Sequence, residues 1–451
     1  MIGCDVKLVL KTNKLRYKRK GGLLVTEQMV TASSLVHDLS TRLQEPDWVR
    51  SLREEAWVSY QQAQVPRLEK TDLRKRGWNF GSFPLEPTAA ISEAQSYFDE
   101  AEGPIVIVVD GFVRGAKIPA ELKEKGIIFT DIHTALREYG NLVQQYFTTV
   151  VRAKENKWLS LNTAMFHGGV FLYVPKNVQV EKPFELVYSD SKEGKGSFSR
   201  TLIVGNELSE FSFSEVRFMT DDIASGLVHS HVLEVVAMPD SRIKVGVVDE
   251  LRKGPTNYVT RRAHVAKDAH VEWVSGEVGD GFTVGLLESV MKEPGSKSTT
   301  RHVGLGFGRQ RLDLTTSMVH EGRYSESDIT MHGIIRDKAY SLYRSSTHIV
   351  KGAVMAGSEQ NDRMIVFDKS SRADAIPMLL IDENDVERCG HAASVGKIDP
   401  NQIYYLMSRG IPEVKATELI LWGYLGETVA ALPAEAARKV LSSRIERELI
   451  R

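Results

Sequence analysis

The feature of this sequence that most restricts its fold is a long tract in which apolar residues lose the helical period. From Trp158 to about Gly396, short runs of alternating apolar and polar residues are separated by turn residues, which is typical of short β-strands. Many runs follow corners of similar composition: Pro239-Asp240-Ser241, Lys267-Asp268-Ala269, Pro294-Gly295-Ser296, Glu321-Gly322 and Asp337-Lys338-Ala339. Repeated corners favour a parallel β-helix of stacked coils. A β-sandwich or a β-barrel explains the same alternation, so the pattern alone leaves both open.

The sequence before this tract, residues 31–157, is predicted to form a mixed α/β domain. Apolar residues recur at helical spacing around Leu39 and again around Leu52, in a second segment that ends before Pro66. The segment Gly103–Val113 predicts a strand, because Ile105–Val109 are a β-branched run bounded by Pro104 and Gly111. The stretch from Asp131 to Phe147 predicts one further helix, because its apolar residues follow a single stripe.

The sequence after the tract, residues 397–451, is predicted to be helical. Asp399 stands at an N-cap position with Pro400 at the first helical position, and Pro412 and Pro433 each open another helix. Three short helices cannot bury all the apolar faces that this segment presents. The segment is therefore either a docking surface for a partner or a cover for the open edge of the β region.

Composition argues against several classes of function. Lys and Arg number 58 against 59 Asp and Glu, so overall charge does not predict a nucleic-acid partner. The apolar runs are shorter than the roughly 18 residues that a membrane-spanning helix needs. The two cysteines, Cys4 and Cys389, are too few for a disulfide framework or for four thiolate ligands from one chain. A reducing, cytoplasmic location fits this composition best.

The first residues are unusually basic. The first 22 contain seven Lys and Arg residues and one acid, Asp5, but no apolar core of a secretory signal. Residues 1–30 are predicted to form a disordered basic extension. An equally good interpretation is that this segment precedes the native start of the protein, so Cys4 carries little functional weight.

A pair of histidines offers one alternative function. His229 and His231 stand two residues apart in a predicted strand, with Glu234 nearby, and this arrangement resembles the first metal motif of cupins. A cupin-like metal-dependent enzyme would need a second motif, but His302 follows Pro294-Gly295 at the wrong interval. The pair therefore supports only an alternative hypothesis.

Three blocks of the sequence carry a more specific signal. Leu161–Pro175 contains Phe-His-Gly-Gly, Gly357–Asn361 reads Gly-Ser-Glu-Gln-Asn, and Cys389–Gly396 reads Cys-Gly-His-Ala-Ala-Ser-Val-Gly and runs on to Gly410. In order and spacing these blocks are similar to the signature segments of the SufB/SufD family of iron–sulfur cluster assembly scaffolds. The resemblance extends from Thr31 to the C-terminus. Two departures from SufB favour the SufD branch: there is no cysteine in Arg363–Arg372, and Ala392 replaces the acid that follows the SufB histidine.

The resemblance implies a fold and partners. It implies a right-handed parallel β-helix core, residues 158–396, between an N-terminal α/β domain and a C-terminal helical domain. It also implies pairing with SufB through the β-helix, or with a second copy of the chain when SufB is missing, and binding of the ATPase SufC by the terminal helices. No Gly-x-x-x-x-Gly-Lys-Ser/Thr loop occurs in the sequence, so ATP hydrolysis is expected to come from a partner and the chain itself is expected not to be an enzyme.

The resemblance also implies a site. His391 matches the interface histidine of the family, so it is expected to hold iron or a nascent iron–sulfur cluster transiently between two subunits. Cys389, two residues away, would point to the same side of an extended strand and is a candidate second ligand, although a buried inert thiol is as good an interpretation. No tightly bound cofactor is expected in the isolated subunit, because one imidazole is too few ligands.

Overall fold

The structure is a computed structural model that describes residues 32–76, 92–190, 196–219, 226–251 and 254–449. The predicted basic extension and Cys4 lie outside the described residues. The architecture is mainly β, with a β-solenoid of about seven turns, an N-terminal α/β region and C-terminal helices. The fold class predicted from the sequence is therefore confirmed.

Among the described residues, the N-terminal region contains seven α-helices, the 3₁₀ helix Leu73–Lys75 and three strands. The α-helices and strands are α1 Ala32–Arg42, α2 Asp47–Gln62, α3 Ser92–Glu100, β1 Ile105–Val109, β2 Phe112–Lys117, α4 Ala120–Glu124, β3 Ile128–Asp131, α5 Ile132–Glu138, α6 Gly140–Tyr146 and α7 Lys157–Met165. The two predicted amphipathic helices are confirmed. The predicted strand Gly103–Val113 is too long, because a turn with positive φ at Asp110 and Gly111 separates β1 from the antiparallel β2. The predicted start of the β region at Trp158 is too early, since α7 ends only at Met165 and β4 starts at Val170. On the outside of the solenoid, apolar residues of α2 and α7 share a core with Phe198 and Val228.

One predicted helix is wrong, because the stretch from Asp131 to Phe147 forms two helices. Asp131 caps α5 by accepting hydrogen bonds from the backbone of His133 and Thr134, at 3.1 and 2.9 Å. At Tyr139 the backbone leaves helical geometry, with φ −122° and ψ 27°, and α6 starts at the next residue. Both helices still face the same core, because Leu136 of α5 and Val143 of α6 are buried in one cluster.

The strands of the solenoid alternate between two sheets. They are β4 Val170–Val174, β5 Phe184–Asp190, β6 Ser197–Gly205, β7 Glu210–Met219, β8 Val228–Ala237, β9 Arg242–Glu250, β10 Thr256–Val265, β11 His270–Glu277, β12 Phe282–Met291, β13 Lys297–Gly306, β14 Arg311–His320, β15 Glu326–Ile335, β16 Tyr340–Ile349, β17 Gly357–Val366, β18 Arg372–Ile381 and β19 Arg388–Gly396. Odd strands from β5 form the ten-stranded sheet with β1 and β2, and even strands form the nine-stranded sheet with β3. Pairing is parallel from β4 and β5 onward, which rules out an antiparallel sandwich or barrel.

One corner of the solenoid is built the same way in every coil. A residue with left-handed backbone conformation stands there about 30 residues after its predecessor, and its N–H donates to a carbonyl of the next coil. These residues are Asn177, Leu208, Asp240, Asp268, Gly295, Tyr324 and Met355. Three of the seven, Asp240, Asp268 and Gly295, belong to turns that were predicted from the sequence. These turns were recognisable because Asp and Gly adopt the left-handed conformation readily.

The C-terminal segment forms three helices, α8 Pro400–Ser408, α9 Glu413–Ala431 and α10 Glu435–Leu449. Asp399 caps α8 by accepting from the backbone of Asn401 at 2.9 Å, as predicted. α9 and α10 pack on the outer face of the ten-stranded sheet and bury Leu421, Leu425, Leu441 and Ile445 there. The turn between α9 and α10 lies close to β9, since a Cβ atom placed on Gly246 would be 2.3 Å from Pro433. α8 has no buried residue. Among the described helices, none is long and apolar enough to cross a membrane.

Candidate functional site

The solenoid ends in an open coil. β19 is the edge strand of the ten-stranded sheet, and β18 is the edge strand of the nine-stranded sheet. Residues 391–396 of β19 are all exposed, and Leu380, Ile381 and Val395 expose 52, 42 and 47% of their surface. An edge with free backbone groups and exposed apolar side chains is a ready surface for another chain.

His391 lies at the end of an inward-facing column of core side chains. In the ten-stranded sheet it is in register with Gln360 of β17, and Gln360 is in turn in register with Ile329 of β15. Parallel partners point to the same face, and side chains alternate along a strand. His391 therefore faces the interior side of the coil, yet it is exposed because no described strand follows β19. The column contains Phe184, Phe213, Val245, Trp273, Thr300, Ile329, Gln360 and His391.

Asp362 is a second polar group beside His391, and the sequence interpretation missed it. It lies on β17, two residues after Gln360, and is fully buried. Its Oδ2 accepts from Ser345 Oγ at 2.5 Å, whereas Oδ1 has no partner among the described residues. Burial raises the pKa of Asp362 to about 6, against the opposing effects of Ser345 and of the nearby His391. The alternation of β17 would have revealed this inward position, since Ser358, Gln360, Asp362 and Met364 are its buried residues at every second position.

Cys389 shares the inward face of β19 with His391. It is half-buried and packs beside Ile349, Ala353 and Ala356. Burial and the charge of Glu359 raise the pKa of its thiol. A raised pKa keeps the sulfur protonated at neutral pH, which makes it a weaker metal ligand than a thiolate.

The other histidine pair lies far back in the solenoid interior. His229 and His231 are on β8, and Asp190 at the end of β5 faces them from the other sheet. One potential ligand atom of each residue lies within 4.8 Å of the others, and all three residues are buried. The parallel ladder is not the antiparallel jelly roll of a cupin, so the cupin fold does not explain the pair. Glu234, which the sequence placed beside the pair, instead bonds Arg200 at 2.7 Å.

These histidines adjoin a buried network of charges. Arg217 bonds Glu215 at 2.9 Å, and Arg261 bonds Asp249 and Glu277 at 2.5 and 2.8 Å. Burial raises the pKa of Asp190 to about 7, and burial together with Asp249 raises that of Glu277 to about 8. Burial and the charge of Arg217 lower the pKa of His231 well below its usual range, so its imidazole is neutral.

A third surface lies on the C-terminal helices. Tyr404, Tyr405 and Met407 of α8 are exposed by 72, 57 and 44%, and Val414 and Leu419 of α9 by 65 and 43%. We call these five residues the α8–α9 patch. A shallow groove of about 520 Å³ beside it is lined by Asn401, Gln402, Tyr405, Leu406 and Ile420. The rest of α9 and α10 packs on the outer face of the ten-stranded sheet and leaves the β19 edge open. The prediction that this segment covers the open edge is therefore wrong, and docking of a partner on it stays a prediction.

Comparison with known proteins gives a consistent result. Residues 187–424 match the model of the SUF system FeS cluster assembly SufBD core domain, and residues 100–186 match that of the SufBD protein N-terminal region. The chain is 37% identical to the iron–sulfur cluster assembly protein SufD of Bacillus subtilis, over 91% of this chain and 96% of that protein. It is 30% identical to an iron–sulfur cluster assembly SufBD family protein of Staphylococcus haemolyticus, over 90% of each chain.

Proposed function

This chain belongs to the SufBD family of iron–sulfur cluster assembly proteins, and from that membership we propose that it is a non-catalytic scaffold subunit that pairs with SufB and binds the ATPase SufC. Iron or the nascent cluster is the cargo, held at the interface only while it is assembled. ATP hydrolysis takes place on SufC, since this sequence has no phosphate-binding loop of its own.

The observation that carries this proposal is the exposure of His391 at the open end of the solenoid. Each sheet has an edge strand at this end, β18 or β19, and a partner that pairs with either strand would lie next to the imidazole. A neutral imidazole is a good ligand for iron. The partner subunit supplies the ligands that this chain lacks.

Asp362 is the best candidate for a second donor from this chain. Its Oδ1 is without a described partner, and its charge interacts with His391. A carboxylate oxygen suits iron before sulfide has arrived, because hard oxygen ligands favour the bare ion over the cluster. We assign Asp362 a role in holding iron and leave Cys389 as a weaker ligand, since its thiol is protonated.

The test of the interface site uses the complex. His391→Ala should still fold and co-purify with SufB and SufC, because the side chain is exposed, but anaerobic cluster reconstitution should fall at least about tenfold. Ser394→Ala is the matched control: it lies on the opposite face of the same strand and should leave the yield unchanged. An unchanged cluster yield in His391→Ala would remove the assigned role.

We propose that SufC docks on the α8–α9 patch. Deleting residues 401–451 would be a poor test, because it would also strip the buried Leu421 and Leu441 from the solenoid. Replacing both Tyr404 and Tyr405 with Ala removes exposed aromatic area without touching the core, and aromatic anchors dominate many interfaces. Binding of SufC measured by calorimetry should weaken at least about 100-fold. Glu446→Ala on α10 is the control, and equal affinity in both variants would place SufC elsewhere.

A further inference from the structure

We propose that the solenoid interior holds a divalent transition-metal ion between Asp190, His229 and His231, at a site separate from the interface that His391 serves. The proposal does not rest on the scaffold role, and either can fail without the other. It concerns an ion bound in the isolated chain, not the cargo of the complex.

Three candidate ligands, two imidazoles and one carboxylate, converge from two sheets. The histidines stand at alternate positions of β8, so both rings point to its inward face, and Asp190 reaches them from β5. His229 Nδ1 and Asp190 Oδ2 are 4.0 Å apart, and the three candidate atoms lie within 4.8 Å of one another. Ligands of a tetrahedral ion with bonds near 2.1 Å lie about 3.4 Å apart. Small side-chain rotations would therefore close the group around an ion.

Two of the candidate ligands have a polar atom without a hydrogen bond. Asp190 Oδ2 and His231 Nε2 have no hydrogen-bond partner among the described residues, although both side chains are almost wholly buried, with 3% of each residue exposed. Burying a polar atom without a partner costs about 1–3 kcal/mol. A metal ion that accepts both lone pairs removes this cost.

A hydrogen bond at one ring nitrogen orients the imidazole of His231. Its Nδ1 lies 3.0 Å from Ser199 Oγ, which also accepts from Arg217 Nη2 at 3.0 Å. If Nδ1 donates to the serine oxygen, the lone pair of Nε2 is free and directed away from it. Metal-binding histidines are commonly held in this way by a hydrogen bond to their other nitrogen.

The charges around the three residues are compatible with a bound cation. The adjoining buried network contains four carboxyl groups and two guanidinium groups among the described residues: Asp190, Glu215, Asp249 and Glu277, with Arg217 and Arg261. Buried charges are stable only when they are compensated. Arg217 and Arg261 oppose a nearby cation, but each is already bonded to carboxylates. The carboxyl groups of the network outnumber its guanidinium groups, so a divalent ion beside Asp190 is compatible with its charge.

The donor set selects the ion. Two imidazole nitrogens and one carboxylate oxygen suit Zn²⁺, or Fe²⁺ in its two-histidine, one-carboxylate geometry, whereas Mg²⁺ and Ca²⁺ prefer oxygen ligands. Three protein ligands leave a coordination position for water.

The test starts with the unaltered chain, freed of metal by chelator dialysis. Titration with Zn²⁺, and anaerobically with Fe²⁺, should show about one ion per folded chain with micromolar or tighter affinity and a higher melting temperature. Co²⁺ should give visible absorption of a four- or five-coordinate site without a thiolate charge-transfer band. Absence of stoichiometric binding in the folded chain overturns the proposal, as does a thiolate band, which would assign the ion to Cys389.

Variants locate the ion. His231→Ala and Asp190→Asn should each lower affinity at least about 100-fold, whereas His391→Ala should leave it unchanged. If the interior variants do not fold, X-ray absorption of the Zn²⁺-loaded unaltered chain decides, since outer-shell scattering from two imidazoles is expected. Scattering from fewer than two imidazoles, or loss of binding in His391→Ala, refutes the assignment.

Discussion

The first and last coils of the solenoid enclose polar groups in opposite ways. In the first coils Asp190, Arg217 and Arg261 are charged or ionisable and are sealed inside, with helices α2 and α7 packed over the nine-stranded sheet. In the last coils the interior groups are mostly neutral, and the end is open at β19. The same repeating backbone therefore supports either a closed ionic interior or an accessible one.

The neutral groups of the last coils form a hydrogen-bonded chain. Ser327 Oγ donates to Ser358 Oγ at 2.9 Å, Ser358 lies 2.9 Å from Thr347 Oγ1, and Gln360 donates to Thr347 at 2.7 Å. Hydroxyl and amide groups satisfy one another without counterions. The difference teaches that charged groups are buried where the coils are covered, whereas the open end of the solenoid contains mainly neutral groups and leaves His391 exposed.

The largest expected effect is a difference in the free energy of unfolding that is lost when one buried group in each interior is replaced. Arg217→Met leaves Glu215 buried without its partner and should lower the free energy of unfolding by about 3–5 kcal/mol. Thr347→Val in the last coil removes one hydroxyl from a neutral hydrogen-bonded chain and should cost about 1–2 kcal/mol. Guanidinium denaturation measures both, and equal losses would end the distinction between the two interiors.

The next effect is the pH dependence of stability. The folded pKa of Glu277 is raised to about 8 from 4.5, so its contribution to stability is fully present below pH 4.5 and is lost as pH rises through 8. Because glutamine does not ionise, Glu277→Gln should abolish this loss of stability at high pH. Relative to the variant, the unaltered chain should lose about 1–3 kcal/mol between pH 5 and pH 8.5, measured by denaturation at several pH values.

Glu359→Gln in the open coil is the control for that experiment. Its side chain is about half exposed, so its substitution should leave the pH profile parallel to that of the unaltered chain. A parallel profile for Glu277→Gln as well would show that the interior of the first coils holds its charges without penalty.

A smaller effect concerns self-association. In the absence of a partner, two chains are expected to pair through β18 and β19, and Leu380→Lys should lower the association constant about tenfold by placing a charge on the exposed edge. Sedimentation equilibrium measures the constant. Val58→Lys changes an equally exposed apolar residue on α2 and should have no effect. If both substitutions act alike, the contact lies outside the open coil.

The smallest effect concerns α8. This helix has no buried residue, so its cap supplies much of its stability. Asp399→Ala should cost about 1 kcal/mol and speed hydrogen exchange of the α8 amides roughly fivefold. Asn401→Ala keeps the cap and should change exchange little. Unaltered exchange in Asp399→Ala would mean that contacts other than the cap hold the helix.

Local features of the sequence were sufficient for several elements. The cap at Asp399, the strand Ile105–Val109 and the corners at Asp240 and Asp268 follow from residue chemistry within a few positions. The shared face of Cys389 and His391 follows from strand alternation alone. What these features have in common is that no distant residue is needed to produce them.

The remainder depends on contacts between distant residues. Alternation separates inward from outward residues, but it does not tell whether the neighbouring strand runs parallel, so sandwich and solenoid remained alternatives. Asp190 meets His229 and His231 only because the coils bring facing sheets together. The break at Tyr139 is likewise invisible to periodicity, since the apolar stripe continues across it.

The uniform corner has a consequence for how such proteins change length. Each left-handed corner residue donates its N–H to the coil that follows, so the corners hold successive coils in register. The coil from Leu208 to Asp240 is 32 residues long and the one from Asp268 to Gly295 is 27, so the other loops absorb differences in length. Adding or removing a whole coil would keep the corners bonded in the same way, and it would move the terminal histidine along the axis.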